Sequence, residues 1–138
     1  MIILLDIDGV MLPLKSWKQP DFLEDGFMKF DEKAISTLNE ILKKTGAKIV
    51  LTSSHKSRYS NEEWITIFRN RNIDAIIETL PNNVNNLSRK DEIINYLSSN
   101  KEDYLIIDDD SQLNSLPPNI KEKLILTSPL IGLTKSLL

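Results

Sequence analysis

Three short apolar runs, each ending in polar residues, constrain this chain more than any other feature. They are Ile2–Ile7, Lys48–Thr52 (KIVLT) and Tyr104–Asp108 (YLIID). Runs this short and this continuously apolar suit strands covered on both faces, as in a parallel sheet between helices. Ala75–Glu78 and Lys123–Thr127 (KLILT) are weaker strand candidates. Helical patterns fill the intervals. Asp31 stands where an N-cap belongs, ahead of Ala34, Ile35, Leu38, Ile41 and Leu42 at helical spacing, with Gly46 at the left-handed C-terminal position. Ser60 and Glu63 make a capping box before Trp64, Ile65, Ile67 and Phe68, and Ser88 with Asp91 opens a helix carrying Ile93, Ile94 and Leu97. Alternating strands and helices predict an α/β fold, a Rossmann-like three-layer domain around a central parallel sheet. Right-handed crossovers then bring every strand C-terminus to one edge, where such sheets bind ligands.

A chain of 138 residues is expected to form one domain over 1–138. Residues 11–30 hold prolines, Trp17 and mixed charges, and read as a small flap inserted after the first strand rather than a large cap domain. Residues 79–87 are an Asn-rich loop. The absence of cysteine excludes thiol catalysis and cysteine-based zinc sites, and the single histidine, His55, excludes any site needing two. A net charge of −3 and a pI near 5.2 argue against indiscriminate binding to nucleic acid or membrane. The opening MIILLDIDGV lacks a basic segment and is interrupted by Asp6, so neither a signal peptide nor a membrane anchor is expected, and the expected location is cytoplasmic.

The strand ends would gather an acidic constellation. The first delivers Asp6 and Asp8, the second Thr52 and Ser53, the third Asp108, Asp109 and Asp110, while Arg89 and Lys90 stand at a helix N-terminus between the last two. Carboxylates at one edge repel one another unless a cation sits among them, and oxygen-only ligands select a hard ion, Mg²⁺. With its charge so balanced, Asp6 can attack a phosphate as a covalent nucleophile. Asp8, two residues on, can protonate the leaving oxygen and then accept a proton from water. Gly9 lets the chain turn away behind it. The Thr52 hydroxyl and neighbouring amides can hold phosphoryl oxygens, as can Arg89 or Lys90. Ser53 shares the strand end with Thr52, and His55 and Lys56, which follow, are further candidates for contact with a substrate phosphate.

These residues resemble the four signatures of the haloacid dehalogenase (HAD) superfamily, in order: DIDGV, KIVLTSS, the basic pair of SRKDEI, and YLIIDDD. The chain also resembles compact, capless members associated with nucleic-acid end repair, through Thr52–Ser54, Arg89 with Glu92 and Ile93, Ile107–Asp109 and Gly132–Thr134. The resemblance implies that Asp6 is the nucleophile and Asp8 the general acid and base. It implies a metal held by the Asp6 side chain, the Asp8 main-chain carbonyl and Asp109, with Asp108 in support. It leaves either Arg89 or Lys90 as the phosphate-binding cation. The implied reaction is Mg²⁺-dependent phosphomonoester hydrolysis on terminal phosphates of RNA or DNA. Lys15, Lys18, Lys56, Arg58, Arg69, Arg71, Arg89 and Lys90 are candidates for a local basic track, and Trp17 for stacking on a base or anchoring the flap. A metal-dependent nuclease and a catalytically inactive binding module of the same fold are the alternatives. A phosphate-accepting receiver domain fits poorly, because its acceptor strand would be the one ending here in Thr52-Ser53.

Overall fold

Strand β1 (Ile2–Leu5) lies at the centre of a five-stranded, all-parallel sheet. It pairs on one side with β2 (Lys48–Leu51) and on the other with β4 (Tyr104–Asp108). Outside these lie β3 (Ile77–Thr79) and β5 (Leu124–Leu126), giving the order β3-β2-β1-β4-β5. The computed structural model describes residues 1–14 and 19–138, so Lys15, Trp17 and Lys18 lie outside the described residues.

The continuous apolar runs are explained by the two faces. Ile3, Leu5, Ile49, Leu51 and Ile107 enter one core, together with Ala34, Leu38 and Ile41 of α1 (Glu32–Thr45) and Trp64, Ile67 and Phe68 of α2 (Asn61–Arg69). Ile2, Leu4, Val50 and Ile106 enter the other, against Ile93 of α3 (Arg89–Leu97) and Leu113 and Leu116 beyond β4. Period-two alternation with both sets apolar is what a sheet between two helical layers requires. The helices begin and end where the sequence places them. Asp31 accepts from Ala34 N, Gly46 closes α1 in the left-handed conformation, Ser60 and Glu63 form a reciprocal capping box, and Ser88 accepts from Asp91 N. A short helix, α4 (Pro118–Lys121), precedes β5. No helix among the described residues is long and apolar enough to cross a membrane.

Strand β4 spans Tyr104–Asp108 as expected, while the other strands differ from expectation by one or two residues at an end. Strand β1 stops at Leu5 instead of reaching Ile7, because the Ile7 carbonyl accepts from both Val10 N and Met11 N and the chain turns. Strand β2 stops at Leu51, although Thr52 N still donates to Leu5 O at 2.9 Å. Of the weaker candidates, Ala75–Glu78 is shifted to Ile77–Thr79, and Lys123–Thr127 is shortened at both ends to Leu124–Leu126. Gly132 adopts φ +79°, and a Cβ there would meet the Val10 carbonyl oxygen at 2.8 Å. That close approach lets Leu133 N bond Val10 O and seats Leu133 in the core, which explains the late Gly-Leu-Thr.

The described part of 11–30 is anchored by one arginine. Phe22 and Met28 form an antiparallel bridge, and Leu23 N donates to Phe27 O, making a tight hairpin. Arg71, just beyond α2, reaches into it: Nη1 is 2.6 Å from Asp25 Oδ2, Nε donates to Met28 O and Nη2 to Phe27 O. The guanidinium is buried and stacks near the rings of Phe27 and Phe30. Arg71 is therefore a structural clamp and no part of a basic track. The burial of a charge this deep is tolerated because each donor has an acceptor. Replacing Arg71 with Met is expected to cost about 3 kcal/mol or more, since Asp25 and the carbonyls of Phe27, Met28 and Ile67 lose their donor. Urea unfolding of Arg71→Met checks this, with the wild-type m-value retained.

Candidate functional site

The parallel sheet delivers its strand ends to one edge, and there three carboxylates crowd together. Asp6 follows β1, its N–H bonding Ile107 O at 3.0 Å to keep the ladder with β4. Asp108 closes β4, and Asp109 comes next. Ligand atoms of these three lie within 4.8 Å of one another. Asp6 and Asp108 are buried, at 5 % and 0 % exposure. Arg89 enters from the first turn of α3, with Nη1 2.7 Å from Asp108 Oδ2 and 3.5 Å from Asp6 Oδ1. The other Asp108 oxygen accepts from Asp110 N, so both its oxygens are engaged. Asp110 itself caps the 3₁₀ turn Ser111–Ser115.

One guanidinium does not balance three acids. Burial first, and then the charge of Asp108, push the Asp6 carboxyl up to about 8, against the lowering effect of Arg89. Burial also raises Asp109. For Arg89, burial opposes the charge, and Asp108 and Asp6 outweigh it. The donor set is oxygen-only, compact and short of positive charge, which fits a hard divalent cation.

Asp8 stands apart from this cluster. Strand β1 ends at Leu5 and the chain turns after Ile7, so strand alternation does not relate the directions of Asp6 and Asp8. The Asp8 carboxylate meets His55 instead, with Oδ2 2.9 Å from Nε2. Gly9 takes φ +76°, and a Cβ on it would lie 2.0 Å from Asp109 Oδ2. Its glycine identity is thus required by the approach of Asp109 as well as by the turn. A groove of about 1050 Å³ opens beside Asp8 and His55, walled by apolar side chains that include Leu12, Pro13, Leu14, Phe30 and Leu130. Asp6, Asp108 and Asp109 lie outside its wall, so Asp8 stands where the groove meets the acidic edge.

The second strand end is divided. Among the described residues Thr52 Oγ1 is buried without a hydrogen-bond partner, whereas the Ser53 hydroxyl accepts from His55 N at 3.1 Å. A buried unpaired hydroxyl is costly in itself, and Oγ1 is left with its hydrogen-bonding capacity unused. Lys56 donates to Glu92 of α3 at 3.0 Å, both side chains largely buried, which ties the 3₁₀ turn Lys56–Arg58 to that helix. Of the basic pair, Arg89 is the one held against the carboxylates; Lys90 makes no ion pair among the described residues. Arg69 pairs with Asp74 at 3.8 Å, both side chains exposed, and of the candidates for a basic track Arg71 is the one taken into the interior. Sequence reasoning missed Thr127. It is buried after β5 and its hydroxyl donates to Gly9 O at 2.7 Å, bracing the turn that carries Asp8. The only signal was a threonine ending an apolar strand, the pattern that singled out Thr52.

The raised Asp6 carboxyl has a consequence for stability. In the folded chain it keeps a proton that the unfolded chain releases near pH 4, so stability is highest at the acid end of this window. It falls as pH rises toward about 8, the value to which Asp6 is pushed. Thermal melts in chelator at about pH 5 and about pH 8 should show this loss, and Asp6→Asn should flatten it. A divalent cation that binds the cluster should restore the loss at the higher pH.

Neither the curated proteins nor the solved structures compared with this chain gave a significant match. One family model does match, over residues 2–138, nearly the whole chain; it describes the HAD domain in Swiss Army Knife RNA repair proteins. The parallel sheet with a central acidic strand end agrees with it. This chain therefore belongs to the family of HAD domains found in Swiss Army Knife RNA repair proteins, and is a HAD-type hydrolase domain.

Proposed function

We propose that this domain is a Mg²⁺-dependent phosphomonoester hydrolase that works through an aspartyl-phosphate on Asp6, with terminal phosphates of nucleic acids as its substrates. The observation that carries the reading is the crowding of Asp6, Asp108 and Asp109 at the end of the central strand, with a single guanidinium against two of them. Mg²⁺ held by Asp6, Asp109 and the Asp8 main-chain carbonyl, with Asp108 in support, would offset the charge of both the carboxylates and an incoming phosphate.

In the first half-reaction an Asp6 oxygen forms a bond to phosphorus as the bond to the leaving oxygen breaks, and Asp8 gives its proton to that oxygen. Water then attacks the phosphorus of the aspartyl-phosphate, returning a proton to Asp8, and inorganic phosphate leaves. The Thr52 hydroxyl suits a phosphoryl oxygen because no group among the described residues satisfies it. Arg89 is the cation we assign to the phosphoryl group, since it already stands at Asp6. With Asp8 on the wall of the groove, the leaving group would lie in the groove, whose volume of about 1050 Å³ admits a nucleotide-sized group. The RNA repair context of the family supports phosphorylated nucleic-acid ends as the substrate class.

Phosphate release from p-nitrophenyl phosphate and from 3′- and 5′-phosphorylated oligonucleotides, with and without Mg²⁺, tests this. Asp6→Asn should lose turnover by about three orders of magnitude or more. Internal cleavage of the oligonucleotide without phosphate release would instead favour a nuclease. Thr52→Val gives a second test in which activity and stability move apart. Losing a phosphoryl donor should lower kcat about a hundredfold. Removing an unpaired buried hydroxyl should raise stability by about 1 kcal/mol. A variant that is both inactive and less stable would contradict the assignment.

A further inference from the structure

Asp8 is held differently from the other acids of the site. Its carboxylate lies beyond the end of β1, its side chain is 37 % exposed, and among the described residues His55 is its one side-chain partner. A carboxylate this accessible has several rotamers open to it unless something fixes one. His55 is itself fixed on several sides. Its main-chain N–H donates to Ser53 Oγ, and its ring packs edge-to-face on Phe27, centroids 5.5 Å apart. Its Nδ1 stands 3.4 Å from Arg58 Nη1.

These contacts decide the tautomer. A guanidinium only donates, so the ring nitrogen facing Arg58 presents its lone pair, and the proton sits on the other nitrogen. That nitrogen, Nε2, faces Asp8 Oδ2 at 2.9 Å, where a donor is needed. Oδ2 accepts from Nε2–H whether Asp8 is ionised or carries a proton on Oδ1. The bond therefore persists through both half-reactions and leaves Oδ1 for the leaving oxygen and the attacking water.

We propose that His55, in the Nε2–H tautomer selected by Arg58 and braced by Phe27, is a positioning residue that fixes the aim of the Asp8 carboxyl at the leaving oxygen. The proposal rests on the phosphatase reading for the role of Asp8, while the His55–Asp8 pairing stands on geometry alone. Phe27 is fully buried, and its carbonyl accepts from Arg71, so the aim of Asp8 leans on the segment that follows β1. His55 also lines the groove, and direct contact with substrate is the rival role that the test separates.

Leaving groups distinguish the roles. A p-nitrophenolate departs with little need of a proton, whereas a ribose or glycerol alkoxide depends on one. His55→Ala should lower kcat about 30-fold or more on a 3′-phosphorylated oligonucleotide or on glycerol 2-phosphate. On p-nitrophenyl phosphate the loss should be about threefold, with KM within about twofold on both substrates. His55→Gln, which can still donate to Asp8, should recover much of the lost rate. Equal losses on both substrate types, or a raised KM at unchanged kcat, would overturn the proposal.

The ring nitrogens give a readout that needs no turnover. His55 is the single histidine in the chain, so its two ¹⁵N signals are unambiguous. Wild type should show the proton on Nε2 and a bare Nδ1, and Asp8→Ala and Arg58→Ala should each mix the tautomers. A proton on Nδ1 in the wild type would overturn the pairing. Wild type that released no phosphate from any substrate would sink the phosphatase reading, and the ¹⁵N result would still decide the pairing.

Discussion

Mutual repulsion among the buried acids at the end of the central strand is the constraint to which the rest of the site answers. A parallel sheet points all its strand ends one way, so acids that follow β1 and β4 must meet. Burial sharpens the repulsion, because solvent cannot screen groups that are 5 % and 0 % exposed. The chain meets part of this cost with Arg89 and part by retaining a proton on Asp6. The remaining deficit of positive charge is the physical basis for the proposed Mg²⁺. Gly9 belongs to the same solution, since only a residue without a side chain lets Asp109 approach so closely.

A second set of contacts links the segment after β1 to the far helix. Arg71 binds Asp25 and the carbonyls of Phe27 and Met28, fastening the hairpin to the end of α2. Phe27 then packs edge-to-face on Trp64, Phe30, Tyr59 and His55. Aromatic pairs in this geometry each add about 0.5–1.5 kcal/mol beyond buried area. The cluster also carries direction. It holds the His55 ring, and His55 holds Asp8. Packing in the core is thus connected to the orientation of a carboxylate in the site through one aromatic edge.

Much of this was legible residue by residue. Asp31, Gly46, Ser60, Glu63 and Ser88 act through backbone groups three or four residues away, so their caps can be read without knowing what lies across the fold. The apolar runs were equally readable, because burial on both faces leaves no alternation to misread. Less was legible where a side chain has a choice of distant partners. Arg71 was a candidate for a basic track and is buried; Lys56, a candidate for a substrate phosphate, meets Glu92, 36 residues away. The role of Thr127 depends on a carbonyl 118 positions distant, and nothing local points to it.

The sequence by itself determined the order of strands and helices, the parallel sheet, and which acids and hydroxyls would stand at its C-terminal edge. These follow from period, capping and topology, which are local or nearly so. Only the tertiary structure decided how those groups are divided. It put Asp6, Asp108 and Asp109 together and turned Asp8 to His55. It set Arg89 rather than Lys90 against the carboxylates, and left Thr52 rather than Ser53 without a partner. Side-chain direction beyond a strand end depends on turn geometry and on partners from other elements, and short-range pattern does not encode either.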